Sequence, residues 1–175
     1  MSKIKATALK PEPEFDLMYY LDLCGDSRID QGLLDRLEPL WARWSERLRA
    51  FKLAASGDSR AAGHLIVYLE PEVEEDVEET WQTSPADGLA THNLAIALVM
   101  QATASLIPEV AAGGCAPLTK PTRDIRKAFE RLGLEWNEEG TVNRQYAVFT
   151  PMPYSGGCRI CFMRDTCPKS QVRAS

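Results

Sequence analysis

No stretch of this chain carries the eighteen or so consecutive apolar residues that a membrane span requires. The longest such run, Leu94 to Met100, is far shorter. The opening residues, Met1-Ser2-Lys3-Ile4-Lys5, contain no apolar segment of the kind that directs export. Internal repeats, low-complexity tracts, glycine-rich phosphate loops and serine-type catalytic motifs are all missing. Histidine is scarce, with only His64 and His92. The acidic run Glu72, Glu74, Glu75, Asp76, Glu78, Glu79 therefore has no spaced imidazole partner for a carboxylate metal site, and reads as a solvated helix face. These absences predict a cytoplasmic protein with no membrane association.

Cysteine, by contrast, is concentrated. Cys158-Arg-Ile-Cys161-Phe-Met-Arg-Asp-Thr-Cys167-Pro168 places three thiols in a C-x2-C-x5-C triplet. Gly113-Gly114-Cys115 lies upstream and shares its local chemistry with Gly156-Gly157-Cys158. Structural zinc usually draws on two short knuckles of two ligands each, and no second knuckle is present. Iron–sulfur ligation accommodates one distant and three clustered thiolates, and bacterial ferredoxin runs also end in Cys-Pro. The total of five cysteines is odd, and export is not expected, so a disulfide framework is disfavoured. The expected cofactor is a 4Fe–4S cluster on Cys115, Cys158, Cys161 and Cys167, with zinc as the alternative. Cys24, before the helix-ending Gly25, reads as a small buried hydrophobe, although it could replace Cys115 as the distant ligand.

The triplet resembles the cluster loops of several families. Endonuclease III-type DNA glycosylases end in such a run, but the position of their fourth ligand is Pro151 here. The molybdenum-processing protein of nitrogen fixation is similar, yet the matching position is Pro153. CRISPR-associated and recombination nucleases and WhiB-like regulators combine the triplet with a distant cysteine, as here. Their acidic nuclease motifs and the Gly-Trp turn of the WhiB-like proteins are not found. Each resemblance is confined to the cysteine run itself, so it implies a cluster type without implying family membership.

Charge is unevenly placed. Residues 1–115 hold 10 basic and 19 acidic side chains, a net of −9, and residues 116–175 hold 10 and 6, a net of +4. Arg159 and Arg164 lie inside the cysteine run, where positive charge would balance an anionic cluster. With −5 overall, the chain is a poor phosphate binder, and a protein partner is expected rather than nucleic acid.

The periodicity predicts a mainly α-helical single domain. Its expected parts are a flexible tail over 1–13, a helical core over 14–112 and a cluster-bearing lobe over 113–175. A short helix runs from Glu14 to Cys24. Asp30 caps a longer one in which Leu33, Leu34, Leu37, Trp41, Trp44, Leu48 and Phe51 recur at helical intervals across Pro39. Gly57-Asp58-Ser59 breaks the chain, with Ser59 capping a helix over Ala61 to Leu69. Strand propensity in Leu65-Ile-Val-Tyr-Leu69 is set aside there because its neighbours read as helical. Pro71 opens the acidic helix, and Leu89 to Ile107 reads as a buried central helix. Thr122 caps a helix from Arg123 to Leu132, and a small hairpin or strand pair follows from Leu134 to Phe149.

The expected function is that of an accessory, electron-transfer or redox-responsive protein acting on a partner protein. The alternatives are a nucleic-acid-associated redox regulator, reading through the Arg123–Leu132 helix and hairpin, and an iron–sulfur enzyme with an open iron site. No catalytic residue can be named.

Overall fold

The structure, a computed structural model, describes residues 3–55 and 60–170. Four strands, Lys5–Leu9 (β1), Leu48–Ala54 (β2), Gly63–Leu69 (β3) and Ala147–Met152 (β4), form one antiparallel sheet in the order β1-β2-β3-β4. The helices are Leu17–Cys24 (α1), Gln31–Ser45 (α2), Pro71–Thr83 (α3), Pro85–Leu106 (α4), Pro108–Ala111 (α5) and Arg123–Arg131 (α6). The mainly helical, all-α expectation is therefore wrong. The fold is mixed, 45% helical and 16% strand.

Helices cover both faces of the sheet. On one face Leu48, Ala50, Leu65, Val67, Leu69 and Val148 pack with Trp41, Trp44, Val73, Val77, Leu94 and Leu98. On the other, Leu53, Ile66, Tyr68 and Phe149 meet Ile125, Ala128 and Phe129 of α6, with Leu134 and Val142. A strand buried on both sides is apolar throughout rather than alternating. Length and pattern then fail to separate it from a buried helix. That is why Leu65–Leu69 reads as helix in sequence and forms β3 in the fold. The helical period of α2 stops at Ser45, whose hydroxyl donates to the Trp41 carbonyl at 2.7 Å. Leu48 and Phe51 continue that period only by coincidence, since they lie on opposite faces of β2.

Lys5–Leu9, expected in a flexible tail, is ordered as β1 by pairing with Ala50–Ala54 of β2. The Gly57-Asp58-Ser59 break and its cap lie outside the described residues. The hairpin expected over Leu134–Phe149 is reduced among the described residues to the Trp136–Val142 bridge, because Ala147–Met152 pairs with β3 instead. The helix-end signals hold. Asp16, Asp30 and Thr122 cap α1, α2 and α6 through their side-chain oxygens, and Gly25 ends α1 with a φ of 72°.

α4 is the hub of the helical layer and touches α1, α2, α3, α5 and the sheet. Among the described residues it is long and apolar enough to cross a membrane by length and composition, although its unbroken apolar run is short. Here it serves as the central packing helix, with Leu94, Ala95, Leu98 and Ala102 fully buried.

Between β3 and β4 the chain makes its longest excursion, through α3, α4, α5, a loop over residues 112–122, α6 and a turn closed by the Trp136–Val142 bridge. β4 is an edge strand, which is where Pro151 is tolerated. The chain that enters before α6 and the chain that leaves after β4 meet beside this strand. That meeting point gathers four of the five cysteines.

Candidate functional site

Cys115 lies in the loop after α5, and Cys158, Cys161 and Cys167 follow β4 in a 3-10 turn and a series of tight turns. All five cysteines are free thiols, and Cys115 is the exposed member. The four expected ligands line one cavity of about 310 Å³, together with Leu118, Met163, Arg164 and Lys169. Cys24 is not in its wall. It faces a separate cavity with Tyr20 and Asn93, accepting a 3.3 Å hydrogen bond from the Asn93 amide. Burial, reinforced by the nearby Cys24, drives the Tyr20 phenol far above its usual pKa.

Few anchors hold the two cysteine segments together. The Thr150 hydroxyl, fully buried in β4, donates to the Pro117 carbonyl at 2.9 Å. Phe162 N–H donates to the Leu118 carbonyl at 3.0 Å, and Leu118 N–H returns a 3.4 Å contact to the Cys161 sulfur. Bonds of this last kind set the electron density on a coordinating thiolate. Turns shape the rest of the run. Arg164 N–H donates to the Cys161 carbonyl, and Cys167 N–H to that of Met163.

The paired Gly-Gly-Cys units have a steric explanation. A Cβ on Gly114 would come within 2.6 Å of the Glu109 carbonyl. A Cβ on Gly157 would lie 3.1 Å from the Tyr154 hydroxyl, and the same hydroxyl is 3.8 Å from the Cβ position of Gly114. Tyr154 thus lies against both turns, tightly at Gly157 and in ordinary contact at Gly114, whose own tight neighbour is the Glu109 carbonyl. Gly157 also has a φ of 50°, which L side chains rarely adopt.

One expectation needs correction. Among the described residues, no group of three or more His, Cys, Asp or Glu side chains is placed to hold a metal ion. A zinc ion draws its sulfurs to about 2.3 Å from one point. These thiols instead rim a space many times the roughly 30 Å³ of one water molecule. The arrangement is not a ready metal-binding site, and the fold carries no iron–sulfur signature of its own. Its donor set does match a polynuclear group, whose ligands attach around an envelope rather than to a point.

The two histidines lie away from this cavity. His92 on α4 shares a 2.9 Å hydrogen bond with the Tyr146 hydroxyl, while burial and the Glu74 carboxylate push that phenol far above its ordinary pKa. His64 on β3 stacks on Phe149 at 4.9 Å, and burial lowers its pKa. α6, considered as a nucleic-acid reader, buries Ile125, Ala128 and Phe129 and spends Arg131 on the Ile4 carbonyl at 2.7 Å.

Two of the further cavities adjoin this region. One of about 380 Å³ lies behind Leu118 and Phe162, and one of about 640 Å³ adjoins Cys115 and Lys169. No family model matches the chain, and no curated protein or solved structure shows significant similarity to it.

Proposed function

We propose that the cysteine cavity houses a 4Fe–4S cluster and that the protein is a cytoplasmic electron-transfer or redox-responsive accessory of another protein. The observation that carries this reading is the convergence of Cys115 with Cys158, Cys161 and Cys167 on one cavity wall, from stretches separated by 43 residues, while Cys24 lies elsewhere. When bound, such a group supplies one-electron chemistry. The residues of the chain hold it, shield it and set its surroundings. Leu118, Met163 and Pro168 form apolar wall, and Arg164 and Lys169 bring positive charge to an anionic site. With every iron capped by a thiolate, no position is open to a substrate, which favours a non-enzymatic role.

The partner surface has its own chemistry. Leu118, Ile160, Phe162 and Met163 are exposed by 38%, 40%, 40% and 42%. Arg159, Arg164 and Lys169 stand among them. Large exposed apolar groups in one patch mark an interaction face. A cationic rim on an otherwise acidic chain suits a partner protein with an acidic surface.

Anaerobic reconstitution with iron and sulfide tests the reading. The expected product contains iron and acid-labile sulfide in equal amounts and shows broad visible absorbance that dithionite bleaches. Stoichiometric zinc with no labile sulfide would overturn it. Gel-shift titration of the loaded protein separates the functional classes, with DNA or RNA binding no tighter than about 1 µM expected at physiological salt. A nanomolar, sequence-selective complex would replace the accessory role with that of a regulator.

A further inference from the structure

The cavity behind Leu118 and Phe162 is separate from the cysteine cavity, and Leu118 forms part of the wall of both. Its volume, about 380 Å³, falls in the range of small-molecule sites. Three aromatic rings line it: Trp136, Phe149 and Phe162. The first two stand edge to face with centroids 6.1 Å apart, and Phe162 is 40% exposed. Two polar residues of the wall are unusual. Thr119 Oγ1 and Arg144 Nη1 are the only buried side-chain nitrogen or oxygen atoms without a hydrogen bond among the described residues. Both residues line this one cavity. Buried polar atoms are nearly always satisfied, so two exceptions in a single wall point to a missing occupant.

The charge balance narrows the chemistry of that occupant. Arg144 Nη1 lies 3.6 Å from Glu74 Oε2, and the other Glu74 oxygen accepts from Gln145 N–H at 2.8 Å. The guanidinium is already balanced by a carboxylate, so an incoming anion would meet attraction and repulsion together. A neutral acceptor meets only an unsatisfied donor. Flat rings are what aromatic walls accept best.

We propose that this cavity binds a small, flat, uncharged ring compound bearing carbonyl oxygen, stacked among Trp136, Phe149 and Phe162 and hydrogen-bonded by Arg144 and Thr119. The site does not require the cluster reading. It would place such a ring next to the Cys161–Phe162 peptide, against the wall of the cysteine cavity.

Lumichrome is a suitable probe, being planar, uncharged, dicarbonyl and fluorescent. Its anisotropy is followed while the full chain is titrated in, with benzoate as a flat anionic competitor. Saturable binding of lumichrome, weakly displaced by benzoate, is expected. Trp136→Leu should weaken it by about tenfold or more, and Trp136→Phe should retain most of it. Thr119→Val should cost about two- to tenfold. Circular dichroism and cluster content, measured on each variant, separate loss of the cavity from loss of the fold or of the cysteine site. Absence of saturable binding would mean that the cavity holds only water, and would overturn the proposal. So would tighter binding of benzoate than of lumichrome, or unchanged affinity in both Trp136→Leu and Thr119→Val.

Discussion

The helical face of the sheet and the cysteine lobe are held by different means. On the helical face Leu65, Val67, Leu69, Leu94 and Leu98 are wholly buried, each contributing about 1.5–3 kcal/mol relative to exposure. In the lobe Ile160, Phe162 and Met163 are partly open to solvent. Among the described residues, order there rests on short turns, three hydrogen bonds between segments and the packing of Ala116 and Tyr154 on the core. Hydrogen bonds of that kind add only about 0.5–1.5 kcal/mol each. The difference predicts that the core stands without a cofactor, whereas the lobe, under the proposed reading, gains order from a group that ties its thiols together.

Removing that tie gives the largest expected effect. Chelation, or Cys158→Ala or Cys161→Ala, should empty the site and strip hydrogen-exchange protection from residues 113–118 and 154–170, leaving α2 and α4 protected. Cys115→Ala should behave alike, and Cys24→Ala should keep full cluster content. Uniform loss of protection across the chain would abolish the distinction between the two regions. So would a site emptied by Cys24→Ala and spared by Cys115→Ala.

Next in size is damage to the core. Trp44 is 1% exposed, and its indole N–H donates to Asp76 at 2.8 Å. Trp44→Ala should lower the unfolding free energy by about 3–5 kcal/mol in a denaturant titration. If the variant remains folded, its iron content should match the wild type. A large drop in iron with little loss of stability would show that the regions are coupled more tightly than their packing implies.

A smaller effect is expected where the two regions join. Thr150→Val removes the bond to the Pro117 carbonyl and should cost about 1–3 kcal/mol, because that carbonyl is left unmatched next to the core. Faster release of iron to a chelator should accompany it. A stability loss with unchanged iron release would confine Thr150 to the core.

The smallest effect is one of pH. Burial lowers the pKa of His64 in the folded protein, so the unfolded chain takes up a proton that the native ring resists. Stability from this group should therefore fall as pH drops below about 6.5 and level off once the native ring has also titrated. His64→Phe should keep the stack on Phe149 and flatten the pH dependence of the urea midpoint between pH 7 and 5. Identical profiles for the two proteins would show that other groups set it.

Much of this was legible in the sequence wherever the signal was local. Asp30, Thr122 and Gly25 announce helix ends because their chemistry acts within one turn. The sheet was hidden by its own burial: with both faces covered, Leu65–Leu69 lost the alternation that marks a strand. β1 was hidden because Lys5–Leu9 carries little strand signal and is ordered by pairing with β2. The cysteine spacing pointed to the residues that share a cavity. It held nothing about the Trp136, Phe149 and Phe162 wall, whose members meet only through tertiary folding.

The route by which Cys115 reaches Cys158 has a consequence for biogenesis. At about 5–20 residues per second, the ribosome adds the 43 positions between them in roughly two to nine seconds. During that interval Cys115 lacks the three downstream thiols that share its cavity. In the fold the pocket stands beside β4, which pairs with β3 and whose Thr150 holds the Pro117 carbonyl. A cluster held by all four thiolates, as proposed, would therefore be completed only after Cys167 has been added. Under the proposed reading, iron and sulfide would reach the chain after its synthesis, at the lobe whose cavity wall carries Arg164 and Lys169.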